Sequence, residues 1–367
     1  MTNKLSLYFH IPFCIKKCAY CAFYSLANQK DELKQAYFEA LCNQVNFLQT
    51  EKEIQTVYFG GGTPPTLCAD RLCKLLSLIK NRFTLSRDCE ITIEINPNSI
   101  DFQTLCTLRA AGFNRLSIGI QSASDGVLAK LGRTHSFADA KRCIADARKA
   151  GFNNISADVI FALPFQTDEE FERGLCEITS TSPDHISAYS LQLEEGTALY
   201  ARRAELEFPD EDSEERQYNF LCSHLKSQGY THYEVSSFAK EGFESRHNLN
   251  YWACGEYFGF GAGAHSFYCG KRFSSECDIR SYIEKSAISL YAPTDCDSAP
   301  FLTQEELAEE KILLGLRTRY GALIPESKKL VGIKVHSLGY GSFNGGRLTL
   351  NSRGFRVSNA IIADVLG

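Results

Sequence analysis

Six short apolar or β-branched runs, separated by stretches of helical period, narrow the fold of this chain more than any other feature. The runs are LSLYF (Leu5 to Phe9), IQTVYF (Ile54 to Phe59), EITIEI (Glu90 to Ile95), RLSIGI (Arg115 to Ile120), NISADVIFAL (Asn154 to Leu163) and HISAYSL (His185 to Leu191). Between the first two, Leu33, Tyr37, Leu41, Val45 and Leu48 recur at intervals of four and three, which stacks them on one helix face. The same period returns in Leu72, Leu75, Leu76 and Ile79, in Leu105 and Leu108, in Ala140, Ile144 and Ala147, and in Phe171, Leu175 and Ile178. Gly112 and Gly151 stand where helices would end, each just ahead of the next run. Strand and helix alternating at roughly 30-residue intervals imply right-handed βαβ crossovers and a mainly parallel α/β sheet. Six units are too few for the usual eight-stranded barrel. An open or partial (β/α)6 barrel fits better than a doubly wound sheet, a choice that strand count alone leaves open. In either case function is expected on the loops at the C-terminal ends of the strands.

The regular alternation stops near Arg202, where the acidic stretch ELEFPDEDSEER (Glu205 to Arg216) reads as a solvated connection. A segment rich in Tyr, Phe and Gly follows from Tyr230 to Phe273. Beyond it come a helical start (TQEELAEEKILLGL), a turn at Asn344, Gly345 and Gly346, a strand-like LTL, and SNAIIADVL. The expected division is residues 1–202 as the partial barrel, 203–300 as an α+β region closing it, and 301–367 as a small helical or winged-helix-like domain.

Composition limits the function classes. Fifteen cysteines in 367 residues cannot pair completely, and a chain this long buries a core without disulfides. The opening MTNKLSLYFHIPF lacks the basic start and apolar run of a secretory signal, and no apolar stretch approaches the ~18 residues of a membrane span. The formal charge of −5 provides no global field for nucleic acid or anionic lipid. A cytoplasmic protein with free thiols is expected.

Three of those thiols are grouped. Cys14, Cys18 and Cys21 form C-x3-C-x2-C directly after the first run, in HIPFCIKKCAYCAF. Thiolates are soft ligands suited to zinc or iron–sulfur centres. A structural zinc site wants a fourth ligand, and His10, the nearest candidate, falls within the strand and is expected to pack there. Three thiolates suit a [4Fe–4S] cluster with one iron left for an outside ligand. The chance alternative, a cysteine cluster in a cysteine-rich chain or a redox CxxC, is weak at a strand's C-terminal end. Gly60-Gly61-Gly62-Thr63-Pro64 ends the second run; it is neither a P-loop nor GxGxxG, and alone it marks only a turn that allows close backbone approach. Glu94, Gln121, Arg133 and Asp158 also fall at strand ends or in the loops that follow. Each alone is an ordinary polar group, but together they offer a guanidinium for a carboxylate and acceptors for ribose hydroxyls.

The motif CxxxCxYC after a first strand, with GGGTP after a second, resembles the radical S-adenosylmethionine (SAM) superfamily. LYFHIPFC, YFGGGTPPTL, EITIEINPN, RLSIGIQS and ISADVIFALP resemble the group that holds oxygen-independent coproporphyrinogen III oxidases, which serve porphyrin biosynthesis, and heme chaperones of the HemW type. The resemblance implies that Cys14, Cys18 and Cys21 bind three irons of a [4Fe–4S] cluster. The amino and carboxylate groups of SAM would chelate the fourth, and one-electron reduction would cleave SAM to a 5′-deoxyadenosyl radical. It further implies SAM contacts at Tyr8, Gly62, Thr63, Glu94, Gln121, Arg133 and Asp158.

Local departures separate the branches. The oxidase motif continues with another cysteine two residues after the third, where this chain has Phe23, and the enzyme carries an extension ahead of its cluster motif. HNLNYW (His247 to Trp252) matches the HNxxYW sequence of HemW and holds the chain's one tryptophan. His247 would offer an imidazole to heme iron, and Tyr251 and Trp252 aromatic faces to the macrocycle. Without the resemblance, a histidine beside aromatics is more often a hydrogen-bonded packing residue, and His265 in GFGAGAHSF is open to the same reading. The other twelve cysteines match no ligand position of the family, and Cys42, Cys73, Cys106, Cys143 and Cys176 read as small buried hydrophobes. The expectation is a HemW-like heme chaperone, with the oxidase as alternative. Its partners would be heme, acceptor hemoproteins such as respiratory cytochromes, and an electron donor such as flavodoxin or ferredoxin, with a homodimer allowed.

Overall fold

The computed structural model describes residues 3–287 and 299–367 of the chain, so residues 288–298 of the expected middle region lie outside it. All six runs form strands: β1 (Lys4–Ile11), β2 (Glu53–Gly61), β3 (Leu85–Ile95), β4 (Arg115–Gln121), β5 (Ile155–Phe161) and β6 (His185–Ser190). They lie in sequence order, each parallel to the next. β3 begins at Leu85 rather than Glu90 because the polar SRDC stretch is taken up as an irregularity: Ile54 pairs with Leu85, and Thr56 with Glu90.

The sheet continues past Arg202. β7 (Thr231–Glu234) and β8 (Ser237–Ala239) extend it antiparallel beyond β6. β9 (Tyr257–Phe260) lies parallel against the other edge of β1, followed by antiparallel β10 (His265–Tyr268) and β11 (Lys271–Ser274). The aromatic, glycine-rich segment therefore supplies both ends of an open eleven-stranded sheet, including a seventh parallel strand too short to stand out in the sequence.

Helices α1 (Asp31–Phe47), α2 (Ala69–Arg82), α3 (Phe102–Ala111), α4 (Phe137–Lys149) and α5 (Asp168–Ser180) connect the parallel strands. Their starts are marked chemically, by Asp101 accepting from Thr104 N–H and by capping boxes at Ser136/Asp139 and Thr167/Glu170. Gly112 ends α3 in the left-handed region, and Gly151 follows Ala150 at the end of α4.

Successive strand residues point to opposite faces. Leu5, Leu7, Phe9 and Ile11, then Val57 and Phe59, then Ile91, Ile93 and Ile95, join Tyr37, Leu41, Leu75 and Leu105 of the helices in one core. Phe9 sits at its centre, with ring centroids 4.9 Å from Phe59 and 4.5 Å from Phe260. The alternate positions fill the inner face with Ser6, Tyr8, Thr56, Tyr58, Thr92, Glu94, Arg115, Ser117, Ser156, Asp158 and His185. That interior is polar and is held by hydrogen bonds such as Thr56 Oγ1 to Ser6 Oγ (2.8 Å) and Ser156 Oγ with His185 Nδ1 (2.7 Å).

Four further helices are α6 (Glu211–Ser227), α7 (Arg246–Trp252), α8 (Ile279–Ala287) and α9 (Gln304–Gly315). The last begins a separate apolar cluster of Ile312, Leu316, Leu348, Leu350, Phe355 and Val365. That cluster packs against a three-stranded sheet of β12 (Ala322–Leu323), β13 (Gly341–Asn344) and β14 (Arg347–Leu350). The β13–β14 hairpin turns on Gly345 and Gly346, both at positive φ, as a two-residue turn between right-twisted strands requires. Among the described residues no helix is long and apolar enough to cross a membrane.

Phe59 is fully buried between Phe9 and Phe113. Phe59→Ala should therefore cost about 3–5 kcal/mol of stability. Urea unfolding followed by far-UV circular dichroism reads this directly, and a loss below about 1 kcal/mol would place the centre of the core elsewhere.

Candidate functional site

The site is built on the C-terminal ends of β1 and β2, which stay paired past their last strand residues. The ladder runs through His10 with Gly60 and Ile11 with Gly61. Gly62 N–H then donates to Ile11 O (2.9 Å) and Thr63 N–H to Phe13 O (2.7 Å). Cys14 follows immediately. A short parallel ladder of Phe13–Cys14 with Leu26–Ala27 closes the base of the cysteine loop. Ala19, between the other two cysteines, is pinned by Ala19 N–H to Leu131 O (2.9 Å) and Leu199 N–H to Ala19 O (2.8 Å).

The triple glycine is required by this packing rather than by a turn alone. Gly61 has φ of +111°, and a Cβ there would lie 2.6 Å from the His10 ring. A Cβ on Gly62 would meet Phe13 O at 2.7 Å, and one on Gly60 the Glu94 carboxyl at 3.0 Å. His10 is committed to this floor, with Nδ1 at 3.0 Å from Tyr8 OH and Nε2 at 3.0 Å from Tyr24 O.

Above the floor is a cavity of about 490 Å³. Cys14, Cys18, Cys21, Gly62, Thr63, Glu94, Gln121, Arg133 and Asp158 all line it. Glu94 and Gln121 lie at the ends of β3 and β4 and Arg133 in the loop after β4, whereas Asp158, expected at a strand end, stands in the middle of β5, facing inward. Arg133 organises the rim: its guanidinium donates to Asn96 Oδ1 (2.6 Å), to Gly119 O (2.5 Å) and to Cys18 Sγ (3.5 Å). Its Nε is buried without a hydrogen-bond partner among the described residues. Asn96 Nδ2 in turn donates to Thr63 Oγ1 (2.9 Å), and Thr63 Oγ1 lies 3.7 Å from Cys14 Sγ. Asn96 belongs to no ligand motif, and its only signal in the sequence is its position two residues after Glu94 in INPN. Gln121, at φ +68°, is a non-glycine residue held in the left-handed region where β4 ends. Phe23 reaches the same cavity with most of its ring exposed.

Burial sets the electrostatics. Glu94 is pushed up to about 7 by burial, opposed by hydrogen bonds from Tyr58 OH (2.8 Å) and Gly61 N–H (3.1 Å). Burial also raises Asp158, against donation from Ser187 and Ser117. The Cys14 and Cys21 thiols are raised by burial as well, with Thr63 pulling Cys14 back. The three cysteines are free thiols, and among the described residues no three His, Cys, Asp or Glu side chains already stand in metal-binding geometry.

The remaining expected residues lie away from this cavity. Tyr8 sits inside the barrel beside Tyr58, with ring centroids 6.1 Å apart. His247 is 1% exposed. Its Nδ1 lies 2.6 Å from Thr56 Oγ1 and its Nε2 2.8 Å from Tyr251 OH, and burial lowers it to about 3. It stacks on Tyr58 at 4.9 Å, one residue removed from Glu94. His247 and Tyr251 therefore plug the barrel interior. Trp252, one residue on, faces the C-terminal unit instead. His265 is exposed at the start of β10.

The model of the radical SAM superfamily matches residues 8–175. The chain is 36% identical over 322 residues to the heme chaperone HemW of Lactococcus lactis, covering 87% of this chain and 83% of that protein. It is 34% identical to HemW of Mycobacterium tuberculosis over 377 aligned residues, 100% of this chain and 95% of the relative. Among solved structures, coproporphyrinogen III oxidase (HemN) from Escherichia coli superposes with a TM-score of 0.84 over 99% of this chain and 90% of that one, at 21% identity, which establishes the fold.

Glu94 gives the site a pH signature. Its folded value near 7 stands above the ordinary 4.5, so between those limits the folded chain holds a proton that the unfolded chain has lost. The stability this contributes is complete below about 4.5 and is lost as pH rises through about 7. Glu94→Gln lacks the titration. The melting temperature of the variant relative to the parent should climb across that window and level off above it; a difference constant with pH would remove the raised carboxyl from the account.

Proposed function

The chain belongs to the radical SAM superfamily, and on that premise we propose that it is a heme chaperone of the HemW kind. In this reading it binds a SAM-coordinated [4Fe–4S] cluster and heme, and hands heme to acceptor hemoproteins such as respiratory cytochromes. The observation that carries it is likeness to heme chaperones along most of the chain, well past the cluster-binding half. Phe23, where an oxidase-type motif would place a further cysteine, supports the same branch.

The cavity fits the expected cofactors. Three thiols on one pinned loop are the donor set of a cluster with one open iron. The partnerless Nε of Arg133 suits a carboxylate, and Gly62 and Thr63, lining the cavity beside Cys14, would meet the amino group. Glu94, Gln121 and Asp158 can accept from ribose hydroxyls, while Tyr8 supports the floor through His10. When bound, the cluster and SAM supply one-electron reductive chemistry, for which a flavodoxin or ferredoxin would be the donor. The chain's part is to hold SAM against the cluster and to keep Glu94 in a low-dielectric wall. His247, closed on both ring nitrogens, does not fit an iron ligand. The division into 1–202, 203–300 and 301–367, a cytoplasmic location and a homodimer belong to the same reading.

Anaerobic reconstitution of the protein with iron, sulfide and SAM, followed by titration with hemin, tests it. Parent protein should develop the brown cluster absorbance and a Soret band and should leave coproporphyrinogen III undecarboxylated. Cys18→Ala should lose the cluster absorbance. Enzyme-like decarboxylation without hemin binding would replace the chaperone reading by the oxidase, and a full cluster in Cys18→Ala would overturn the ligand assignment.

A further inference from the structure

The helix that carries HNLNYW has two functional faces. His247 and Tyr251, one turn apart, point into the barrel, where the imidazole is sealed between Thr56 and Tyr251. Leu249 and Trp252 point the other way and form one wall of a second cavity, of about 840 Å³, between α7 and the C-terminal unit. Its opposite wall comes from α9 and from the segment leading through β12, with Lys311, Tyr320 and Leu323. This volume lies within the ~300–1,000 Å³ range of small-molecule and cofactor sites.

The chemistry of the walls is specific. The lining is mainly aliphatic, and Leu323 is 61% exposed although it stands on a strand of the unit's own sheet. An aromatic face comes from Trp252, which lines the cavity beside Leu249 and Ala253. Two cations stand at the rim. Lys311 is exposed and has no ion pair among the described residues. Arg347 has no carboxylate partner among them either, and its NH1 donates to Tyr320 O (3.1 Å) and Gly321 O (3.2 Å), which orients the guanidinium. An apolar slot with one aromatic wall and two unneutralised cations matches a flat, hydrophobic ligand bearing two carboxylates.

We propose that this groove between α7 and the C-terminal unit is the binding site for an iron porphyrin, with the macrocycle against Trp252, Leu249 and Leu323 and the propionates at Lys311 and Arg347. The proposal rests on the heme-chaperone reading and gives it a location distinct from His247. No His, Cys or Met lines the groove, and the hydroxyl of Tyr320 already donates to Glu244 Oε2 (2.8 Å). The ligand is therefore held by its periphery and not by its metal. Such a site favours transfer, because an acceptor that supplies strong axial ligands gains an interaction the groove does not offer.

The chain's only tryptophan lies on the groove wall and reports on it directly. Full-length protein is titrated with hemin, zinc protoporphyrin and metal-free protoporphyrin IX while Trp252 fluorescence and the Soret region are recorded. The expected result is quenching of Trp252 by all three, with dissociation constants within about one decade of each other. Lys311→Glu and Leu323→Asp, both at exposed positions, should each weaken hemin binding roughly tenfold, the scale of one charge-assisted or apolar contact, without changing the circular dichroism spectrum. Hemin binding that leaves Trp252 unquenched, that is unchanged in both variants, or that fails for the metal-free porphyrin would overturn the groove and leave the chaperone reading standing. Parent protein that binds none of the three would overturn both.

Discussion

The site depends on the backbone register between β1 and β2, carried past the strands by the Gly62–Ile11 and Thr63–Phe13 hydrogen bonds. Those two bonds place the start of the cysteine loop against the glycine turn. A Cβ at Gly61 or Gly62 would push the two chains apart at the point where they must touch. Everything above follows from this contact: Thr63 reaches Cys14, Asn96 reaches Thr63, and Arg133 reaches both Asn96 and Cys18. The rim is thus a single hydrogen-bonded belt across β2, β3 and the loop after β4. Losing the register by one residue would turn each inner side chain to the helix side.

The same alternation explains how a buried parallel sheet tolerates so polar an interior. The outer positions join one apolar core with the helices, and that core stabilises the sheet by itself. The inner positions are then free to hold polar groups, provided each finds a partner. Most do, through Ser6, Thr56 and His247, or through Ser156, His185 and Tyr233. Thr92 Oγ1 and Arg115 Nε are exceptions, both buried and unpaired among the described residues. The Arg115 charge pulls the Glu94 and Asp158 carboxyls down while burial pushes them up. Burial is the larger effect, which is why Glu94 comes to rest near neutrality.

Strands and helices of the first half were legible because each carries a long, clean period. Tyr37, Leu41 and Val45 are buried as their spacing implies, and Leu48 is buried just past the end of α1. The cysteine loop and its glycine partner were legible because close packing admits few residues at those places. What the sequence concealed was non-local. β9 is four residues long and contains a glycine, so nothing in its period announces a strand; only the free edge of β1 makes it one. Asn96 acts through Thr63 and Arg133, which lie far from it in the chain, and no local pattern records such a pairing.

HNLNYW shows a different limit. Six adjacent letters suggest one binding surface, yet a helix turns 100° per residue and distributes them around its axis. His247 and Tyr251 are four apart and share the barrel side; Leu249 and Trp252 are three apart and share the groove side. The histidine, chemically the most suggestive of the six, is the one with both nitrogens already engaged. Its stack on Tyr58 sits directly beneath the Glu94 wall of the cysteine cavity. One short helix thereby packs against the floor of one cavity and supplies a wall of another. A shift of α7 would disturb the His247–Tyr58 stack and the Trp252 wall together, because one rigid turn of helix carries both.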